Sequence, residues 1–324
     1  MKDNVRYSVI IPAYNEGAVI NETYRRLKQV MKTLNEPYEL LFVNDGSRDQ
    51  TAEIIKGFAA SDPSVKLLDF SRNFGHQIAI TAGMDYARGD AVIIIDADLQ
   101  DPPEVIPQMI DQWRQGYEIV YAKRSKRMGE TFFKRTTAFL FYRILRALTE
   151  DINIPLDTGD FRLIDRKVCD AMRDIREKNR FVRGLVSWVG FRSTAIEYTR
   201  EERFAGETKY PLKKMLRFSI DGVASFSYKP LKLAASFGLV VVAASFICLV
   251  VFLTQILFSY SAVSCWPPLI ACLLLLDGFI LIVLGVLGEY VGRIYDETKN
   301  RPLYILRNKQ ELEDAKHNGV IYSE

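Results

Sequence analysis

Ala91-Val92-Ile93-Ile94-Ile95-Asp96-Ala97-Asp98 is the stretch that decides the fold of this 324-residue chain. Its leading residues are small or β-branched, which is typical of a strand buried on both faces of a parallel sheet. Ligands bind just beyond the carboxyl ends of such strands. In an extended chain Asp96, Asp98 and Gln100 share a face and can converge. Their oxygens suit Mg²⁺ or Mn²⁺ with substrate phosphates, although the spacing also fits a helix-capping Asp after a strand.

Short apolar runs alternate with helical patterns on both sides of this stretch. We expect strands over Tyr7–Ile11, Leu40–Val43, Val65–Leu68, Ala91–Ile95 and Glu118–Tyr121, and helices over Ala18–Leu34, Gln77–Ala87 and Glu104–Arg114. This alternation predicts an α/β fold, with a mainly parallel sheet and helices on both faces. Polar segments follow three of the strands, at 12–16, 44–47 and 96–98. They predict a nucleotide site along one rim of the sheet.

Several classes of function are disfavoured by what the sequence lacks. It has no G-x-G-x-x-G after the first strand and no G-x-x-x-x-G-K-[ST], which argues against a dinucleotide oxidoreductase and a P-loop ATPase. Its net charge of +3 is too small to indicate nucleic-acid binding. Four cysteines without C-x-x-C spacing and two histidines argue against a zinc or histidine-built metal site.

The second half of the chain contains an uncharged stretch between Lys232 and Asp277. Leu233–Phe258 and Trp266–Gly288 are each long enough to span a hydrocarbon core, since a spanning helix needs about 20 residues. Lys and Arg flank the pair, whereas the loop at 259–265 is uncharged. We therefore expect both flanks and the N-terminal domain in the cytoplasm, with no signal peptide. A buried helical hairpin is the alternative.

Two segments combine aromatic and basic residues in a pattern typical of interfacial helices, Thr131–Leu148 and Leu212–Tyr228. The first also fits a helix that packs on the sheet with a solvated basic face. We divide the chain into a catalytic domain at 1–211, an interfacial helix at 212–232, two transmembrane helices at 233–288 and a cytoplasmic tail at 289–324.

Four motifs together resemble one enzyme family. They lie at 9–16, 43–47, 96–104 and 157–162, and the chain is similar there to the inverting, nucleotide-sugar-dependent glycosyltransferases of the A-type fold. It looks most like the polyprenyl-phosphate glycosyltransferases, which include bactoprenol glucosyltransferases and dolichol-phosphate mannose synthases. The resemblance implies a nucleotide-diphospho-sugar transferase domain, Rossmann-like, followed by interfacial helices and two transmembrane helices.

The same resemblance implies roles for individual residues. Nucleotide contacts fall on Pro12, Tyr14, Glu16, Asp45 and Asp96, the metal ligands are Asp96, Asp98 and Gln100, and the acceptor or donor phosphates are met by Arg124, Arg135, Lys209 and Arg203, the last without a firm match. Asp157 is the nominal general base. It could instead orient the acceptor, because a phosphate monoester is already mostly dianionic at neutral pH. Asp45 also fits a plain Asp-Gly turn.

The resemblance implies transfer of a sugar, with inversion, onto undecaprenyl phosphate at the cytoplasmic face of a bacterial inner membrane. Glucose from UDP-glucose is the preferred donor, ahead of UDP-N-acetylglucosamine, GDP-mannose and a UDP-4-amino-arabinose derivative. The product would serve cell-surface glycan modification. A processive polysaccharide synthase would carry a Q-x-x-R-W motif, which the chain lacks. A non-catalytic membrane scaffold or nucleotide-sugar sensor is the alternative of another class. We expect a homo-oligomer, with Asp277 packed between protomers.

Overall fold

The structure is a computed structural model that describes residues 5–126, 158–175, 177–200 and 266–308, with short runs and single positions between 231 and 254. Its strands are β1 (Tyr7–Ala13), β2 (Tyr38–Asn44), β3 (Val65–Asp69), β4 (Ala91–Ile94), β5 (Ile119–Lys126), β6 (Thr158–Asp165) and β7 (Ser193–Thr199). Its helices are α1 (Ile20–Thr33), α2 (Thr51–Ser61), α3 (His76–Tyr86), α4 (Ile106–Arg114), α5 (Arg166–Asp174), α6 (Val182–Trp188) and α7 (Trp266–Thr298).

The described strands form one mixed sheet in the order β3-β2-β1-β4-β6-β5-β7. β1 pairs in parallel with β2 and β4, and β2 pairs in parallel with β3. β6 is antiparallel to both β4 and β5, while β7 is parallel to β5. The predicted α/β fold with a central sheet is confirmed, and the parallel half carries the rim where the polar segments lie.

The core lies on both faces of the sheet, because alternate residues of a strand point to opposite sides. Val9 and Ile11 of β1 pack with α1 and α4, whereas Ile10 between them packs with α3 and α5 on the other face. All three side chains are fully buried. Burial of an aliphatic side chain contributes about 1.5 to 3 kcal/mol, so this two-sided burial holds β1 firmly at the centre.

The helix predicted over 104–114 begins later than expected. Pro103–Val105 forms a 3₁₀ turn, and the α-helix starts at Ile106, next to Pro107. Proline is tolerated in the first turn because its missing N–H group would lack a helical partner there in any case. The chain between Asp96 and α4 is therefore a longer loop than the sequence suggested.

α7 contains the candidate membrane span of the described residues. It runs to Thr298 rather than ending at Gly288, and its Leu275–Thr298 stretch is long and apolar enough to cross a membrane and contains no buried residue. The described positions of the first predicted span are helical, and the Phe237 ring lies 5.0 Å from that of Phe279 in α7. Because one helix of sufficient length is described, the expectation of two spans is not confirmed. Both predicted interfacial helices, at 131–148 and 212–228, lie outside the described residues.

After α7 the chain returns to the edge of the sheet. Phe70, just beyond β3, forms an antiparallel bridge with Leu306. The Tyr304 ring stacks on Phe70 with centroids 5.3 Å apart, and its hydroxyl donates to Asp85 Oδ2 at 2.9 Å. Residues 301–308, which we call the strap, thus join the end of α7 to the edge of the catalytic sheet.

Candidate active site

The loops that follow the parallel strands meet along one rim of the sheet. The loop after β1 and the loop after β2 are tied together, since Asn15 N donates to Ser47 Oγ at 2.9 Å and Arg48 N donates to Asn15 Oδ1 at 2.8 Å. Tyr14 and Glu16 are half-buried beside this junction. The predicted nucleotide residues of these two loops therefore lie together, and their contacts with a nucleotide remain predictions.

Asp45 fixes the loop that leads into α3. Its carboxylate accepts from Phe74 N at 2.7 Å, Gly75 N at 3.0 Å and Asn73 Nδ2 at 2.9 Å. Burial raises the pKa of Asp45 to about 6, although the donated backbone hydrogen bonds oppose the rise. Asp45 thus anchors this loop in the structure. The predicted contact of Asp45 with the base would be a second role.

Gly46 allows the same loop to approach closely. Its φ is +65°, in the left-handed region that favours glycine, and a Cβ at this position would lie 2.3 Å from the carbonyl carbon of Arg72. Any side chain would push the 72–75 loop away from Asp45. The Asp-Gly pair is therefore both a turn and a packing requirement.

The loop after β4 holds the predicted metal ligands, but it does not stay extended. Leu99 has a φ of +58°, which turns the chain before Gln100. Asp98 Oδ1 accepts from Gln100 N at 3.1 Å, and Gln100 Oε1 accepts from Arg200 Nη2 at 2.8 Å. The condition under which Asp96, Asp98 and Gln100 would converge is not met. Gln100 as a metal ligand remains a prediction that would require its amide to leave Arg200.

Asp96 meets a half-buried network that the sequence did not reveal. His76 Nε2 lies 3.4 Å from Asp96 Oδ1 and 3.1 Å from Asp160 Oδ2. Arg183 donates to Asp160 through Nε and Nη2, each at 2.8 Å. The guanidinium of Arg162 also donates to the backbone oxygens of Gly159 and Asp160.

The pKa values in this network follow from burial and charge. Burial raises the pKa of Asp96 to about 6, and nearby carboxylates add to the rise. Burial would lower the pKa of His76, but Asp96 and Asp160 outweigh it and raise that pKa to about 9. Burial opposes ionisation of Asp160, yet Arg183 and His76 hold its pKa well below the usual range. Burial and neighbouring charge therefore act in opposite directions on His76 and Asp160.

A second network surrounds Asp101, whose side chain is 1% exposed. The Tyr198 hydroxyl donates to Asp101 Oδ1, and Arg124 Nε donates to the same hydroxyl at 3.3 Å. Arg124 Nη2 and Arg200 Nε lie 4.0 and 3.7 Å from Asp101 Oδ1. Two guanidinium groups therefore lie beside this carboxylate, next to the β4 loop. The planar guanidinium group suits phosphate, and the phosphate contact of Arg124 remains a prediction.

The donor set of the β4 loop fits a divalent cation. Asp96 Oδ1 is buried and accepts no hydrogen bond within the described residues. The described part of the chain contains no cluster of three His, Cys, Asp or Glu side chains that could enclose an ion. Mg²⁺ is commonly bound through one or two carboxylates together with water and substrate phosphates. Asp96 and Asp98 therefore suffice for a site of that kind.

Four predicted site residues lie outside the described residues: Asp157, Arg135, Lys209 and Arg203. Conversely, the structure adds His76, Asp160, Arg183, Asp101 and Arg200, which the sequence interpretation did not assign. Asp160 lay within a quoted motif, at 157–162, and His76 directly precedes the helix predicted over Gln77–Ala87. Both residues therefore lay in or next to segments that the sequence singled out. That Asp96 and Asp160 lie close enough to contact one histidine depends on the pairing of β4 with β6.

Comparison with known proteins agrees with this geometry. The model of glycosyl transferase family 2 matches residues 8–173. The chain belongs to glycosyl transferase family 2. The uncharacterized glycosyltransferase YkcC of Bacillus subtilis is 59% identical over 98% of each chain. The prophage bactoprenol glucosyl transferase homolog of Escherichia coli is 41% identical over 94% of this chain and 99% of its own.

Another family 2 relative has a more specific name. The bactoprenol glucosyl transferase of Shigella phage SfV is 41% identical over 95% of this chain and 100% of its own. The family assignment confirms the resemblance inferred from the four motifs. It also confirms that the chain is a glycosyltransferase.

Proposed function

We propose that this family 2 enzyme transfers glucose from UDP-glucose, with inversion, to undecaprenyl phosphate at the cytoplasmic face of the bacterial inner membrane. One observation carries the proposal. Asp96 presents a buried carboxylate oxygen without a hydrogen bond from the described residues, just beyond the carboxyl end of β4 in the parallel half of the sheet and next to Asp98 in the same loop. Relatives that match nearly the whole chain are named bactoprenol glucosyl transferases, which favours a lipid phosphate as acceptor.

On the donor side, Asp96 and Asp98 would hold Mg²⁺ or Mn²⁺ against the diphosphate. A bound ion supplies Lewis-acid compensation for the charge that develops on the departing nucleoside diphosphate. Tyr14 offers a ring for stacking on the base, and Glu16 offers an acceptor for a hydroxyl. Pro12, at the end of β1, sets the direction of that loop.

The acceptor and the donor are both anionic, so cationic side chains must bring them together. Arg124 and Arg200 lie at the rim beside the β4 loop, where their guanidinium groups can meet a phosphate. Arg135, Arg203 and Lys209 are the further cations that the resemblance assigns to the two phosphates.

The reaction joins one oxygen of the acceptor phosphate to the anomeric carbon. The bond from that carbon to the donor diphosphate breaks, and its electron pair leaves with UDP. A lipid phosphate with a second pKa of about 6 is already dianionic, so the step requires no proton transfer. Asp157 then serves to orient the acceptor and to stabilise positive charge at the anomeric carbon.

The membrane anchor is α7, with Leu233–Phe258 as the second proposed span. Leu275, Leu281 and Ile282 of α7 are 76%, 68% and 66% exposed, which is costly in water and favourable in lipid. Basic residues before and after the spans favour a cytoplasmic location for the catalytic domain. The acceptor head group would then lie at the same membrane surface as the rim.

The experiment is a transfer assay with the full chain in detergent, undecaprenyl phosphate, Mg²⁺ or Mn²⁺ and a panel of radiolabelled nucleotide sugars. We expect label in the organic extract with UDP-glucose, and a β-linkage in the product by NMR. Label transferred from another nucleotide sugar would change the proposed donor and leave the proposed reaction unchanged. No lipid-linked product from any donor would overturn the proposal in favour of a scaffold or sensor.

A further inference from the structure

The pairing of β4 with β6 brings two carboxylates to the same end of neighbouring strands. The antiparallel register pairs Ile93 with Leu163 and Ile94 with Arg162. Asp96 lies two residues beyond Ile94 and Asp160 two residues before Arg162, so both carboxylates lie at the same end of this pair of strands. Like charges close together on neighbouring strands are destabilising, and more so when water is excluded. The rim therefore needs a group that holds the two carboxylates together.

His76 occupies that position. It is the first residue of α3, and its Nε2 atom faces Asp96 Oδ1 at 3.4 Å and Asp160 Oδ2 at 3.1 Å. Asp160 has a further cationic partner, the fork of Arg183. For Asp96 Oδ1, the described residues supply no hydrogen bond, and the imidazole of His76 lies 3.4 Å away.

The position of His76 is itself fixed by the loop that Asp45 anchors, next to the proposed nucleotide site. α3 begins directly after the 72–75 loop, whose backbone N–H groups donate to Asp45. The imidazole thus follows the loop that Asp45 anchors and contacts both Asp96, the proposed metal ligand, and Asp160, near the start of β6. Asp157 precedes β6 by one residue in the sequence.

We propose that His76 is a positioning residue that bridges Asp96 and Asp160 and thereby orients the Asp96 carboxylate toward the divalent cation. Nothing in its contacts makes it a catalytic group: it acts through Asp96. The inference rests on the proposed function, because it assumes a cation at Asp96 and Asp98. It predicts that the reach of the side chain to both carboxylates decides how well the cation binds.

Two neutral amide variants of His76 test whether the length of the side chain matters when its hydrogen-bonding group is kept. The His76→Gln amide extends to the position of Nε2 and can donate one hydrogen to each carboxylate. The His76→Asn amide is one methylene shorter and reaches neither. Partners that orient a metal ligand are typically worth 10- to 100-fold in metal affinity. We expect His76→Asn to weaken Mn²⁺ binding at least about tenfold, and His76→Gln to stay within about threefold of wild type.

The matched control lies at the opposite end of the sheet. Glu39 is also a buried carboxylate with cationic partners, Lys66 at 2.7 Å and Arg88 at 3.2 Å, but it stands at the start of β2. Glu39→Gln should lower the thermal unfolding temperature without changing Mn²⁺ affinity. A change in stability alone is thereby distinguished from a change at the metal.

The measurement is a titration of the detergent-solubilised full chain with Mn²⁺ in the presence of UDP, followed by electron paramagnetic resonance, with thermal unfolding of each variant in parallel. Wild-type affinity in His76→Asn would overturn the inference while leaving the proposed function intact. Equal weakening in both variants would also overturn it, because reach would then be irrelevant. Absence of Mn²⁺ binding and of sugar transfer in the wild type would overturn the proposed function itself.

Discussion

Replacement of Gly46 by alanine should destabilise the protein and displace the 72–75 loop at the proposed nucleotide site. At a φ of +65° an alanine is strained, which costs about 1 to 2 kcal/mol. The added Cβ would lie 2.3 Å from the carbonyl carbon of Arg72 and 2.5 Å from the nitrogen of Asn73, both backbone atoms. Overpacking of this kind costs about 1 to 3 kcal/mol. Together we expect a loss of about 2 to 5 kcal/mol in the free energy of unfolding.

The assay is thermal unfolding of the full chain in detergent, with the KM for the nucleotide sugar measured in parallel. Displacement of the 72–75 loop from Asp45 should raise that KM. Gly57→Ala is the control, because Gly57 lies inside α2 and a methyl group added there would meet no atom within 4 Å. It should stabilise the protein by about 0.5 to 1 kcal/mol. Equal unfolding temperatures for the two variants would refute the reasoning.

Three further perturbations test other parts of the structure. Gly159→Ala would place a Cβ 2.7 Å from Arg124 Nη2, so we expect a rise of about tenfold in the KM for the lipid phosphate and little change for the donor. Burial opposes ionisation of Asp62, yet Lys28 at 2.6 Å holds the pKa of Asp62 below the usual range. The ionised Asp62 therefore stabilises the fold above about pH 4, and this stabilisation is lost as the pH falls. Asp62→Asn should cost about 2 kcal/mol at pH 7 and nothing at low pH, and a pH-independent difference in unfolding free energy would contradict this. Tyr304→Ala should destabilise the strap by about 2 kcal/mol and Tyr304→Phe by about 1 kcal/mol, as measured by thermal unfolding.

Hydrophobic pattern and turn chemistry were sufficient for the parallel half of the fold. The run from Ala91 to Ile95 predicted a central strand, and β4 is buried between β1 and β6. Polar residues after β1, β2 and β4 predicted a common rim, because parallel strands end on the same edge. These inferences depend on local periodicity, which the sequence carries directly.

The rest depends on pairing between distant segments. Nothing in the local pattern of residues 158–165 states that β6 runs antiparallel between β4 and β5, so the meeting of Asp96 with Asp160 was not foreseen. The left-handed backbone of Leu99, which turns Gln100 toward Arg200, also has no signal in a leucine. Asp45 was expected to bind a base, whereas the structure shows that it first anchors the loop before α3.

The most direct test of the central claim is the initial rate of glucose transfer from UDP-glucose to undecaprenyl phosphate by wild type and by Asp98→Ala. Asp111→Ala serves as the control, because Asp111 is an exposed carboxylate on α4. We expect metal-dependent transfer by the wild type and by Asp111→Ala, and loss of nearly all transfer in Asp98→Ala. Undiminished transfer by Asp98→Ala would contradict the account.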